Sequence, residues 1–191
     1  MKQIILASAS PRRKELLEKI GLKFKIIVSK YKESIDPSQS PHELAQKLSL
    51  EKAKLVAKKY KNSIIIGADT FVVLDNQIIG KPKDKNDAKE TLKLLSNRDH
   101  LIITGFTIID SDTNKAISRS EETKVFMRQI TDREIESYVK TKEPLGKAGS
   151  YAIQEKGSVF IEKIEGDFFN AVGLPIFALV KELKNFGVSV L

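Results

Sequence analysis

Ser63-Ile64-Ile65-Ile66-Gly67-Ala68 is a run of apolar and small residues with no polar alternation. A strand with one wet face alternates with a period of two, so an uninterrupted run suits a central strand buried on both faces. Ile4-Ile5-Leu6-Ala7 reads as a second buried strand. Strands of this kind interleaved with helical patterns predict an α/β chain.

The remaining segments are read against turn and cap signals. Phe24–Ser29 is a strand, and Lys30–Gln39 is a polar stretch carrying Glu33 and Asp36. Ser40-Pro41-His42-Glu43 is a capping box with proline at the first helical position, opening a helix to about Tyr60 with Leu44, Leu48, Leu55 and Val56 inward. Phe71–Leu74 and Gln77–Ile79 flank a hairpin turn at Asp75-Asn76. A helix follows over Asp84–Leu95, then two long antiparallel strands, Leu101–Ile109 and Ala116–Arg128. Thr131 caps a helix that ends before Pro144, with Glu134 three residues on. A Gly-rich loop, 145–150, leads to a short strand ending at Gln154, a strand over Ser158–Ile164, and a last helix after Pro175. Parallel strands at the start and a long hairpin in the middle predict a mixed twisted sheet in two lobes around a central cleft.

Composition narrows the class. The chain has 191 residues and a hydrophobic fraction of 41%, enough for one two-lobed domain over 1–191 with a sizeable core. There is no cysteine, which excludes disulfide scaffolding, thiolate catalysis and zinc–thiolate sites. No apolar stretch approaches the ~18 residues of a membrane span, and no apolar leader follows the N-terminus, so a cytoplasmic protein is expected. The net charge of +8 fits polyanion binding. The lysines are scattered over helix faces without a basic tail or interleaved aromatics, which argues against nucleic acid as the principal partner.

The first turn after the opening strand is unusual in its charge. Ser10 sits at a cap position, Pro11 at the first helical position, and Gly21 closes the helix. Arg12, Arg13 and Lys14 then occupy the first turn, where the helix dipole already presents positive partial charge. A helix built for stability alone would carry Asp or Glu there. Two readings remain: cations solvating an exposed turn, or a phosphate site made of backbone N–H groups and cations.

Asp69 ends the central run, at the sheet end where α/β proteins gather ligands. There a carboxylate binds a hard divalent cation, takes a proton from water, or merely caps a turn. Lys81, in Gly80-Lys81-Pro82 after the hairpin, returns to the same sheet end. Glu33, Lys52 and Lys147 read either as solvated charges or as site residues, and Gln154 either as structural or as a reader of a nucleobase edge. His42 and His100 have no metal-ligand spacing, and no Walker A pattern, G-x-G-x-x-G or G-x-S-x-G elbow occurs.

Ser8-Ala9-Ser10-Pro11-Arg12-Arg13-Lys14-Glu15-Leu16-Leu17 resembles the signature of the Maf family of nucleoside triphosphate pyrophosphatases. Leu50–Ala53, Gly67–Thr70, Gly80–Pro82, Glu143–Gln154 and Asn170–Pro175 resemble further family motifs in the same order, so the likeness covers nearly the whole chain. Arg98-Asp99 and Ala171 depart from the usual pattern at places without a proposed catalytic role.

The resemblance implies hydrolysis of a nucleoside triphosphate to monophosphate and pyrophosphate with Mg²⁺ or Mn²⁺. It also implies the two-lobed fold of the inosine triphosphatase (Maf/Ham1) group, and a homodimer. By motif position Asp69 is the proton acceptor. Arg12, Thr70 and Gln154 set substrate choice, in the pattern of the branch acting on dTTP and UTP. Ser8, Ser10, Arg13, Lys52 and Lys81 bind phosphate, and Glu33 with Asp69 holds the metal. The competing expectations are the same reaction on 7-methyl-GTP or another purine, and a nucleic-acid-binding or septum-formation regulatory role.

Overall fold

The computed structural model describes residues 2–31 and 39–190. Glu33 and the polar stretch around it therefore lie outside the described residues. The fold is α/β with a seven-stranded mixed sheet. Its strands are β1 (Gln3–Leu6), β2 (Lys25–Ile26), β3 (Ser63–Leu74), β4 (Gln77–Ile79), β5 (Asp99–Asp110), β6 (Ala116–Met127) and β7 (Ile161–Gly166). The order is β2-β1-β3-β5-β6-β7, with β4 paired to β3. The helices are α1 (Pro11–Lys19), α2 (Pro41–Ala57), α3 (Lys85–Leu95), α4 (Asp132–Lys140), α5 (Phe168–Val172) and α6 (Ile176–Leu183).

The chain divides into two compact units: residues 1–69, 104–121 and 173–191 form one, and 70–103 with 122–172 the other. Three of the four boundaries fall inside β3, β5 and β6, and the last directly follows α5.

In the first unit β1 lies parallel to β3, from Gln3 opposite Ser63 to Leu6 opposite Ile66. The two apolar runs predicted as buried strands are therefore neighbours. Ile5, Leu6, Ile64, Ile65 and Ile66 are fully buried. Ala53, Val56 and Ala57 of α2 pack on Ile5, Ile65 and Ile109. Leu55, expected inward, is only half-buried, and small alanines take its place. The reason is closeness. A Cβ on Gly67 would overlap the carbonyl oxygen of Ser49 and lie 3.0 Å from Ala53 Cβ, and one on Gly105 would lie 2.7 Å from Gln46 N. Helix α2 thus rests on two bare strand positions at Ala45, Ser49 and Ala53, where a larger strand residue than glycine would hold it away.

α1 ends as Gly21 predicts. Gly21, at φ 71°, donates to Glu18 O at 2.9 Å, and Leu22 N donates to Leu17 O at 3.1 Å, a Schellman closure. Ser40 caps α2 as expected: its Oγ accepts from Glu43 N at 3.3 Å, and its own N–H donates to Glu43 Oε2 at 2.9 Å. The predicted strand Phe24–Ser29 pairs with β1 only at Lys25 and Ile26, and the Ile27 N–H closes the pairing on Leu6 O at 3.0 Å.

In the second unit the expected hairpin forms, with Asp75 and Asn76 both in the left-handed region (φ 49° and 62°). Thr131 accepts from Glu134 N at 3.3 Å, completing the second capping box. α3 packs against α4 and the short turn at Ala148–Ser150.

Two sequence expectations fail here. Residues 151–154 are not a strand: the Ala152 N–H donates to Tyr138 Oη on α4 at 3.2 Å, and the Ala152 carbonyl accepts from Glu155 N at 3.3 Å within a turn, so neither group is left for a ladder. Lys156–Phe160 is a 3₁₀ turn, and β7 begins only at Ile161. Helix α5 has no counterpart in the sequence reading. Asp167 Oδ1 accepts from Phe169 N at 2.7 Å and starts it locally.

Candidate active site

The parallel register ends with Leu6 opposite Ile66, and β3 runs on to Asp69. Asp69 therefore sits just past the carboxyl end of the parallel pair, the usual place for ligand chemistry in α/β sheets. The close seat of α2 on Gly67 brings Lys52, one turn along from Ser49, over the same strand end. Lys52 Nζ stands 2.9 Å from Asp69 Oδ1, with the two side chains only 14% and 12% exposed. Asp69 Oδ2 is buried and has no hydrogen-bond partner among the described residues. A buried carboxylate oxygen left without a donor is costly unless a ligand supplies one.

The turn between β1 and α1 is fixed by Arg13. This side chain is 9% exposed. Its Nε donates to Gly173 O at 2.8 Å, and its Nη1 to Ser8 Oγ at 3.1 Å and Ala68 O at 2.9 Å. Arg13 thus ties three backbone segments together, one of them the residue before Asp69. Ser10 occupies the cap position of α1, but its side chain makes no cap hydrogen bond; its N–H donates to Ser8 Oγ at 3.2 Å instead. With Ser8 Oγ accepting from Arg13 and Ser10, the Ser8 O–H remains as a donor. Arg12 is half-buried on the adjoining turn.

The second unit carries the other expected site residues. Thr70 follows Asp69 in β3 and is half-buried. Lys81 is exposed, and its neighbour Gly80 accepts from Gly149 N at 3.2 Å, which joins the Gly-rich loop to the Gly80-Lys81-Pro82 segment. Lys147 is committed within its loop: Nζ donates to Glu143 O at 2.8 Å and pairs with Glu155 at 3.3 Å. Gln154 lies half-buried in the turn that follows. Both histidines are structural. His42 Nδ1 meets Ser120 Oγ at 3.0 Å, and His100 Nε2 meets Tyr151 Oη at 2.6 Å. Burial pushes His100 down to about 4.

The structure thus brings together Ser8, Ser10 and Arg13, and separately Lys52 and Asp69. The carbonyls of Ala68 and Gly173 were not foreseen as partners of Arg13, because backbone acceptors leave no mark in side-chain identity. Among the described residues no cluster of three His, Cys, Asp or Glu side chains forms a ready-made metal cage.

Residues 3–186 match the family model described as Maf-like protein. The dTTP/UTP pyrophosphatase of Methanosarcina barkeri is 52% identical over 191 residues, an alignment covering 100% of this chain and 97% of that protein. The dTTP/UTP pyrophosphatase of Bacillus anthracis is 50% identical over 190 residues, covering 100% and 98%. Among solved structures, the Staphylococcus aureus Ham1 protein shares a partial likeness, with TM-score 0.46 and 14% identity over 66% of this chain and 72% of that one. The chain belongs to the Maf-like family.

Proposed function

We propose that this chain hydrolyses dTTP and UTP to the monophosphate and pyrophosphate, with Asp69 as the proton acceptor. The observation that carries the chemistry is the Asp69 carboxylate, paired through Oδ1 with Lys52 and left with a buried Oδ2 open. The substrate assignment draws on full-length relatives near half identity, both named for dTTP and UTP.

In the reaction a water oxygen bonds to the α phosphorus as the bond to the bridging oxygen breaks, and pyrophosphate leaves. The water proton passes to the Asp69 carboxylate, which Lys52 keeps oriented through Oδ1. The α1 N-terminus, Arg12 and the Ser8 hydroxyl bind phosphate oxygens, with Lys81 as a further cation. Arg13 shapes the turn that presents them and adds its charge from behind it. Gln154 has both a donor and an acceptor for the edge of uracil or thymine, and Thr70 and Arg12 complete the selection.

The residues present fit a divalent ion that arrives with the triphosphate. A single open carboxylate oxygen suits Mg²⁺ or Mn²⁺, which commonly take one or two carboxylates and complete their shell with phosphates and water. Asp69, with Glu33 as the family resemblance implies, would hold it. When bound, such an ion neutralises developing charge on the phosphates. A cytoplasmic homodimer completes the proposal on the strength of the family resemblance, and light scattering reads the assembly.

The test is pyrophosphate release from a nucleotide panel with Mg²⁺, with Mn²⁺ and with chelator. Metal-dependent release from UTP and dTTP, with little from GTP or 7-methyl-GTP, supports the proposal. Preferential release from purines overturns the substrate assignment, and an active Asp69→Asn variant overturns the role of Asp69.

A further inference from the structure

We infer that Tyr138 and Glu143 are positioning residues for Gln154, clipping the loop that presents it at both ends. The inference rests on the reading of Gln154 as a reader of the base.

The loop enters from buried residues, Tyr151, Ala152 and Ile153, and Gln154 and Glu155 then turn outward before Gly157 is buried again. Both its shoulders converge on one hydroxyl–carboxylate pair. Tyr138 Oη donates to Glu143 Oε1 at 2.8 Å. On the near side of Gln154, the Ala152 N–H donates to Tyr138 Oη at 3.2 Å. On the far side, the Gly157 N–H donates to Glu143 Oε1 at 3.0 Å and the Lys156 N–H to Glu143 Oε2 at 3.3 Å. Gln154 is thus carried on a short arch whose two feet share an anchor. Lys147 braces the same arch from outside through Glu143 O and the Glu155 carboxylate.

The anchor is itself rigid. Tyr138 is 5% exposed on the inner face of α4 and packs edge-on against Phe160 at 5.1 Å. Burial, then the hydrogen bond to Glu143, pushes its phenol above the ordinary tyrosine range, so it remains a proton donor. The fit at the far foot is tight: a Cβ on Gly157 would lie 2.8 Å from both Tyr138 Oη and Ala152 O. A glutamine selects a base edge through the placement of its amide, so freeing the arch loosens selection before it affects the chemistry at Asp69.

Tyr138→Phe is the informative variant, since it keeps the ring and its packing and removes the oxygen that receives Ala152 and donates to Glu143. Two hydrogen bonds of the anchor are lost, and the expected result is about a tenfold fall in kcat/KM for UTP, carried by KM with kcat little changed. The ratio of UTP to GTP turnover falls with it, and amide exchange quickens at 152–157 alone. Glu143→Ala gives the same pattern. In a Gln154→Ala background Tyr138→Phe changes selectivity no further, because the residue it positions is gone. An unchanged UTP/GTP ratio with unchanged exchange at 152–157 overturns the inference, as does a variant that loses only thermal stability. Should Gln154→Ala itself leave the ratio untouched, the reading of Gln154 fails, and exchange at 152–157 shows whether the clip survives without it.

Discussion

Gly67 and Ser49 are pressed together so closely that a Cβ on the glycine would overlap the serine carbonyl oxygen. This contact between β3 and α2 sets the height of the helix above the sheet, and with it the reach of Lys52 to Asp69. Gly67→Ala must push α2 outward. It is expected to cost about 1–3 kcal/mol of stability, the usual range for overpacking. It also lowers kcat, because the Lys52–Asp69 pair is stretched. Denaturant melts and steady-state kinetics on the same preparation check both; a variant that loses stability but keeps kcat would separate the helix seat from the site.

Removing the cation directly gives a cleaner test. Lys52→Met leaves a carboxylate only 12% exposed with neither oxygen paired among the described residues. Loss of such a partner costs about 1–3 kcal/mol, and kcat should fall by about tenfold or more as the carboxylate loses its orientation. Lys52→Arg, which retains a cation, should recover part of the rate.

His100 makes stability sensitive to mild acid. Its side chain is 2% exposed, and burial holds its ring down to about 4 against 6.5, opposed only weakly by Asp99. The unfolded chain therefore takes up a proton first as pH falls. Stability present above pH 6.5 is lost progressively toward pH 4, by an amount on the order of 3 kcal/mol for this shift. Urea melts at a series of pH values measure the slope, which His100→Gln should flatten.

Glu134 acts in a lower window. Its carboxyl, held by Arg128 and then by the Thr131 backbone and hydroxyl, is lowered from 4.5 to about 2. A carboxylate stabilised in the folded state contributes above the unfolded value and ceases to contribute as pH falls through the folded one. The difference in Tm between the wild type and Glu134→Gln should be full at neutral pH, shrink below pH 4.5 and vanish near pH 2.

Most of the scaffold was legible because its signals are local. The apolar runs at Ile4 and Ser63 became paired parallel strands, and the boxes at Ser40 and Thr131 formed as capping chemistry requires. Residues 151–154 and 158–160 read as strand from their apolar content, whereas the Ala152 N–H is taken by Tyr138 of α4 and the Ser158 N–H by Glu155 O within a 3₁₀ turn. The arginine pair shows the same division within the site. Sequence marked Arg12 and Arg13 as equivalent cations on a helix N-terminus, while the fold buries Arg13 and spends it on the carbonyls of Ala68 and Gly173.

The sequence by itself determined where the capped helices α2 and α4 begin, that β3 is buried on both faces, and which motif residues carry charge or hydrogen-bonding groups. Those properties follow from periodicity, capping and side-chain chemistry within a few neighbouring residues. Only the tertiary structure decided that Lys52 holds Asp69, that Asp69 keeps one oxygen without a partner among the described residues, and that a single hydroxyl–carboxylate pair anchors both feet of the Gln154 arch. Each depends on the separation of groups far apart along the chain, and that separation is set by close packing at positions such as Gly67 and Gly157, where the absence of a side chain allows two backbones to meet.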